Sequence, residues 1–219
     1  MRKLNTYTPQ KLRRIRKLPH WQRTDAAYFI TFRLNGSLPK EVIETLKDKR
    51  YYQKTKLLNL GFSELEIAIK LRQLYEVYFG KFDNLLDHST TGPHHLKNDS
   101  IAKIIADAIM YFNNERYVVI NFCIMSNHVH LIFCHLQDEL ENILESIKKF
   151  SARKSNQVLG LTGTQFWHHY SYDHIIRGEA EMKFYIQYNL LNPVKAKLIQ
   201  DWRNWKWSYI HEDFKKYAP

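Results

Sequence analysis

The sequence predicts an α+β fold: an antiparallel sheet carrying helices, in the order strand, helix, strand, strand, helix, strand, with one more helix at the end. Three observations predict it. Segments 28–34, 117–124 and 128–134 are dense in β-branched and aromatic residues. Apolar residues recur at helical spacing between and after them. The short turn Met125-Ser126-Asn127 joins the second and third extended segments as a hairpin.

Taken in order, Tyr28-Phe29-Ile30-Thr31-Phe32-Arg33-Leu34 is the first strand, closed by Asn35-Gly36. Leu38-Pro39 opens a helix to about Leu58, and Gly61 breaks it. Ser63 with Glu66 three positions on is a capping-box signal for a second helix, to about Phe79. Both helices are charged, with modest apolar stripes, and read as an insertion at 39–90 on the core. After the loop Thr91-Gly92-Pro93, Asp99 or Ser100 caps a helix with Ile101, Ile104, Ile105, Ala108 and Ile109 on one side. The hairpin Tyr117–Cys134 follows. Leu140–Val158 is the next helix, with Ile143, Leu144, Ile147 and Phe150 on one face. Phe166–Ile176 is extended, and Glu179–Asn192 is a helix that Pro193 limits. Without the insertion, this is the ferredoxin-like β-α-β-β-α-β order, with crossover helices on one face of the sheet.

At 219 residues the chain fits one domain, assigned to 23–210, between a basic N-terminal tail at 1–22 and a C-terminal tail at 211–219. Lys and Arg total 33 against 22 Asp and Glu, and the resulting +11 points to a polyanionic partner. Some of the 14 Tyr, 12 Phe and 5 Trp could serve as stacking platforms for unpaired bases. Cys123 and Cys134, one on each arm of the hairpin, do not suggest a disulfide scaffold and fit a reducing compartment. No apolar run reaches the roughly 18 residues that would span a bilayer, and the N-terminus lacks the apolar core of a signal peptide. A cytoplasmic location is the expectation.

Two segments carry chemistry. In a strand, residues i and i+2 share a face, so His128 and His130 point one way while Val129, Leu131 and Phe133 point to the other, helix-covered side. Paired neutral imidazoles are divalent-metal ligands. In a helix, residues i and i+4 share a face, which puts Tyr188 with Asn192 and, one turn earlier, Phe184. An amide oxygen from Asn192 is a hard ligand that can complete a two-His site, and Tyr188 would then lie beside the ion. A phenol of pKa about 10 is a weak nucleophile at neutral pH, and a nearby cation favours its phenolate.

These residues carry a resemblance. Met125-Ser126-Asn127-His128-Val129-His130-Leu131 resembles the His-hydrophobic-His motif of the HUH nuclease superfamily. Tyr188-Asn189-Leu190-Leu191-Asn192-Pro193-Val194-Lys195-Ala196 resembles the tyrosine helix of REP-associated tyrosine transposases. Ser146–Ala152, Phe166-Trp167 and Tyr172–Arg177 resemble the same family in the same order, over roughly 24–210. The chain departs from it at Ser126, where Pro is more frequent, and at Lys197, where Gly is.

The resemblance implies a single-tyrosine endonuclease and strand transferase acting on single-stranded DNA near hairpins with Mg²⁺ or Mn²⁺. It makes Tyr188 the nucleophile and His128 and His130 metal ligands, with Asn192 at the position of a further polar ligand. Tyr185 is an alternative nucleophile. Arg33, Lys148, Lys149, Arg153 and Arg177 are candidate DNA contacts, and His168, His169 and His174 are further candidates near the tyrosine helix. Monomer and homodimer both stay open. Two other readings compete: a non-catalytic nucleic-acid-binding module of the same fold, and a metal-dependent hydrolase using water.

Overall fold

The computed structural model describes residues 26–219; the basic stretch 1–22 lies outside them. One antiparallel sheet holds β1 (Ala27–Arg33), β2 (Val118–Ile124), β3 (His128–Cys134), β4 (Tyr172–Ile176) and β5 (Ser208–Ile210) in the spatial order β4-β1-β3-β2-β5. The first four strands follow the ferredoxin-like arrangement. β1 and β3 lie at the centre, in a register that sets Thr31 opposite His130 and Arg33 opposite His128. The helices are α1 (Lys40–Leu58), α2 (Glu64–Asp87), α3 (Asp99–Met110), α4 (Leu140–Leu159) and α5 (Gly178–Lys195).

Alternation along the strands makes two cores. Tyr28, Ile30, Phe32, Val129, Leu131 and Phe133 face the crossover helices α3 and α4, which meet them with Ile101, Ile105, Ile109, Ile143 and Ile147. The opposite face carries Phe29, Ile120, Ile132 and Cys134 and is covered by Tyr185, Ile186 and Leu190 of α5 and Phe79 of α2. The inserted hairpin α1–α2 is therefore part of the second layer through α2. On α1 no residue is buried. His128 and His130 fall on this second face, under α2 and α5.

Several boundaries differ from the sequence expectation, each for a local reason. Helix α2 runs through Gly80 to Asp87 instead of stopping near Phe79, because Phe79, Asp83 and Leu86 form its buried stripe. Asn98, not Asp99 or Ser100, caps α3: its side chain accepts from the Ser100 N–H at 2.9 Å. On α4 the stripe continues from Ile147 to Ser151, and Phe150 is turned out, 43% exposed. Only 172–176 of the expected extended segment pairs as a strand, while the Leu34–Trp167 bridge and the Trp167 indole N–H to Ser151 Oγ (2.9 Å) pin the run before it. Pro193 does not end α5, which continues to Lys195; Asn192 and Pro193 supply the carbonyls that close the end, to Ala196 and Leu198.

β5 was not expected; it adds an edge to β2, with Tyr209 opposite Phe122. In the C-terminal tail, Phe214 and Tyr217 of a 3₁₀ turn (Glu212–Tyr217) pack on the second core. Both cysteines are free and buried, and register keeps them apart: Cys123 lies opposite His130, Cys134 opposite Val118.

Candidate active site

Three elements meet over the second face of the sheet. β3 contributes His128 and His130, α5 contributes Tyr188 and Asn192, and α2 contributes Asp83 and Asp87. The two imidazole Nε2 atoms are 3.0 Å apart. Asp83 Oδ1 is 3.4 Å from His130 Nε2 and 3.8 Å from His128 Nε2, and Asp87 Oδ1 is 3.6 Å from His128 Nε2. Asn192 Nδ2 lies 3.0 Å from His130 Nε2. The Tyr188 hydroxyl donates a short hydrogen bond to Asp83 Oδ2, and its ring stands edge-on to His130 at 5.7 Å. Lys195 places its ammonium 4.3 Å above the Tyr188 ring.

Neighbouring hydrogen bonds fix the His128 tautomer. Asn127 donates its amide to Leu86 O (3.0 Å) and so offers only its oxygen to His128 Nδ1, at 2.7 Å. The proton of His128 is thus on Nδ1, and Nε2 is bare. His130 Nε2 lies 3.0 Å from both His128 Nε2 and Asn192 Nδ2, and its Nδ1 lies 2.8 Å from Thr31 Oγ1. The bare Nε2 of His128 thus faces His130 Nε2 at 3.0 Å, two nitrogens placed to share one proton or one ion. Burial holds both imidazoles neutral, down to about 3, with the mutual effect of His130 adding for His128 and that of Lys195 for His130.

Burial pushes Asp83 up, opposed by His128, and pushes Asp87 up to about 8, with Asp83 adding to the shift. Asp83 Oδ1, Asp87 Oδ1 and Asn192 Oδ1 are buried without a hydrogen-bond partner. Buried orphan acceptors are costly in a native structure, and a bound ion is one of the few things that satisfies several at once. Asp83, His128 and His130 offer ligand atoms all within 4.8 Å of one another. This mixed nitrogen and oxygen set could hold a divalent cation. Burial, then Asp83, pushes the Tyr188 phenol well up, so its proton is held on the hydroxyl and directed at the carboxylate.

The structure thus brings together Tyr188, His128, His130 and Asn192. Tyr185 goes elsewhere: it stacks on Phe29 at 4.4 Å, and burial raises it to about 12. Phe184, placed on the Tyr188 stripe, is 58% exposed. His174 faces Glu181 at 3.2 Å, and His168 and His169 lie in the loop before β4.

The five candidate DNA contacts separate. Arg33 does not face solvent as expected: it is 4% exposed, donates to Ser37 Oγ at 3.0 Å and lies over the Phe82 ring. Lys148 turns its ammonium onto the carbonyls of His168 (2.8 Å) and His169 (3.2 Å), and burial lowers it to about 8. Lys149 is exposed and paired with Glu145 at 2.7 Å. Arg153 and Arg177 are exposed.

Asp83 and Asp87 were missed in the sequence. Their signal was present: two carboxylates four residues apart, in register with Phe79 and Leu86 on the one apolar face of a charged helix.

No protein-family model matches the chain, and no curated protein matches it. Among solved structures, the chain is similar to a REP-associated tyrosine transposase bound to a REP hairpin. The TM-score is 0.55 and the identity 15%, over 94% of this chain and 89% of that one. What the two share at that identity is the fold: a five-stranded antiparallel sheet with its helices, of the α+β, ferredoxin-like type that HUH transposases use. No helix among the described residues is long and apolar enough to cross a membrane.

Proposed function

We propose that this chain is a metal-dependent endonuclease and strand transferase for single-stranded DNA, of the single-tyrosine HUH transposase kind, cutting beside DNA hairpins. The observation that carries the reading is the convergence of the Tyr188 hydroxyl, two imidazole Nε2 atoms and the Asp83 carboxylate in one buried cluster. The similar fold of a transposase bound to a hairpin supports the choice of substrate.

His128, His130 and Asp83 would hold the ion, with Asn192 at its edge and able to present Oδ1 by rotating its amide. The ion, when bound, polarises the scissile phosphate and favours the phenolate of Tyr188. Tyr188 attacks phosphorus, its oxygen–phosphorus bond forms as the bond to the 3′ oxygen breaks, and the strand leaves with a free 3′ hydroxyl. The product is a 5′-phosphotyrosine, and attack by another 3′ hydroxyl reseals DNA while returning the phenol. Asp83 lies where the phenol proton goes, and Lys195 over the ring favours the anionic oxygen. Arg153 on α4 and Arg177 before α5 are the candidates left facing solvent for backbone phosphates, with Lys149 one turn before Arg153.

A denaturing gel separates this reading from its competitors. With Mn²⁺ and 3′-labelled hairpin DNA, the wild type should yield a labelled protein band, which EDTA, Tyr188→Phe and His130→Ala each abolish. Cleavage without any covalent species would support a water-using hydrolase. Tight binding with neither cleavage nor adduct would support a non-catalytic module. Cutting by Tyr188→Phe at the wild-type rate would remove the nucleophile assignment.

A further inference from the structure

The cleft between α1 and α2 lies outside the cluster described above. It encloses about 280 Å³ and is lined by Lys49, Arg50, Lys56 and Lys81 together with Tyr52 and Tyr78. In a helix pair that packs for stability, the facing positions of α1 would be apolar. Here the residues that line the cleft from α1 are mostly cationic or polar, and α1 buries none of its side chains. No carboxylate borders the cleft, and no ion pair engages Lys49, Lys56 or Lys81 among the described residues. The Arg50 guanidinium lies over the Tyr78 ring at 4.6 Å, while Tyr52 is 70% exposed. Unneutralised cations beside an exposed ring, here Tyr52, are the chemistry that holds unpaired nucleic acid, with ammonium groups on phosphates and the ring on a base face.

Helix α2 links this cleft to the cluster below. Phe79, Asp83 and Leu86 point to the sheet, whereas Tyr78 and Lys81 point to the cleft, on the other side of the same helix. We infer that the α1–α2 cleft is a second DNA subsite, one that grips the unpaired strand leading to or from the cut while the inner face of α2 supplies a carboxylate to the metal. The identity of the strand as DNA rests on the function proposed above; the subsite itself does not require chemistry.

Fluorescence anisotropy in EDTA tests it, because binding is then read without cleavage. The probes are a fluorescein-labelled single-stranded oligonucleotide and the same sequence as duplex, each across a salt titration. The variant K49A/K56A/K81A should bind the single strand at least about tenfold more weakly, with a log–log salt slope shallower by roughly 2, as three lost contacts to a single strand imply. Tyr52→Ala should weaken the single strand by about fivefold or more through lost stacking and leave the duplex unchanged. Urea midpoints equal to wild type would show that these exposed changes leave the fold intact. Unaltered affinity and slope in the triple variant, or equal weakening of both probes by Tyr52→Ala, overturns the subsite. Cleft-dependent binding without any Mn²⁺-dependent adduct would instead sink the strand-transfer reading and leave the subsite standing.

Discussion

At the residue scale, Asn127 shows how much of the cluster is set by side chains that never reach the metal position. It ties β3 to Leu86 at the end of α2 and fixes the His128 tautomer in one side chain. Outer partners of this kind typically contribute 10- to 100-fold in metal affinity, so Asn127→Ala should weaken Mn²⁺ binding by about that factor in calorimetry. The buried titratable groups give a pH signature. Asp87 is held up to about 8, so the folded protein keeps a proton that the unfolded chain gives up, and that stability is lost as pH rises through 8. His128 and His130, held down to about 3, act the other way: their contribution is full above 6.5 and lost as pH falls toward 3. Between 6.5 and 8 only the carboxylate slope remains. Metal-free protein should therefore lose stability across that window, by at most about 1.4 kcal/mol per pH unit for each acid that keeps its proton in the fold. Mn²⁺ should restore more of the melting temperature at the alkaline end, where the carboxylates ionise onto it. A flat profile without metal would contradict the assignment of these buried acids.

At the element scale, helix α2 is where sequence and structure part most usefully. β3 was legible to the residue, because its alternation, its flanking turn and its length all agree. α2 was read short at Phe79, just before Gly80, a poor helix former. Burial of Phe79, Asp83 and Leu86 against the sheet outweighs that local preference, and no window of the sequence displays such a contact. Gly80 has open space where a Cβ would stand and lies in ordinary helical backbone. Gly80→Ala should accordingly raise stability by about 0.5–1 kcal/mol in urea unfolding, without altering Mn²⁺ affinity. A loss of stability would mean that the helix is not continuous there. Tyr188 and Asn192 were legible because their spacing lies within one helix, whereas Asp83 reaches the site only through tertiary packing.

At the scale of the whole molecule, one sheet separates two tasks. The α3–α4 face is a mainly apolar core, its buried Ser151 engaged by the Trp167 indole. The α2–α5 face mixes apolar residues with the polar cluster, and Phe29 is its keystone, fully buried, stacked on Tyr185 and 5.7 Å from His130. Phe29→Ala should lower stability by about 3–5 kcal/mol and, by loosening the seat of His130, weaken Mn²⁺ binding as well. Ile30→Val, on the other face, should lower stability by only about 0.5–1.5 kcal/mol and leave metal affinity alone. Equal metal affinity in both variants would show that the two faces are not divided in this way.

The central claim is that paired imidazoles of β3 and a carboxylate of the inserted helix hold one ion beside the Tyr188 hydroxyl. Anomalous diffraction from crystals grown with Mn²⁺ tests it most directly. A single strong peak is expected within coordination distance of His128 Nε2, His130 Nε2 and Asp83, next to the Tyr188 oxygen. A saturating Mn²⁺ concentration that leaves this position empty, or places the ion away from the imidazoles, would contradict it.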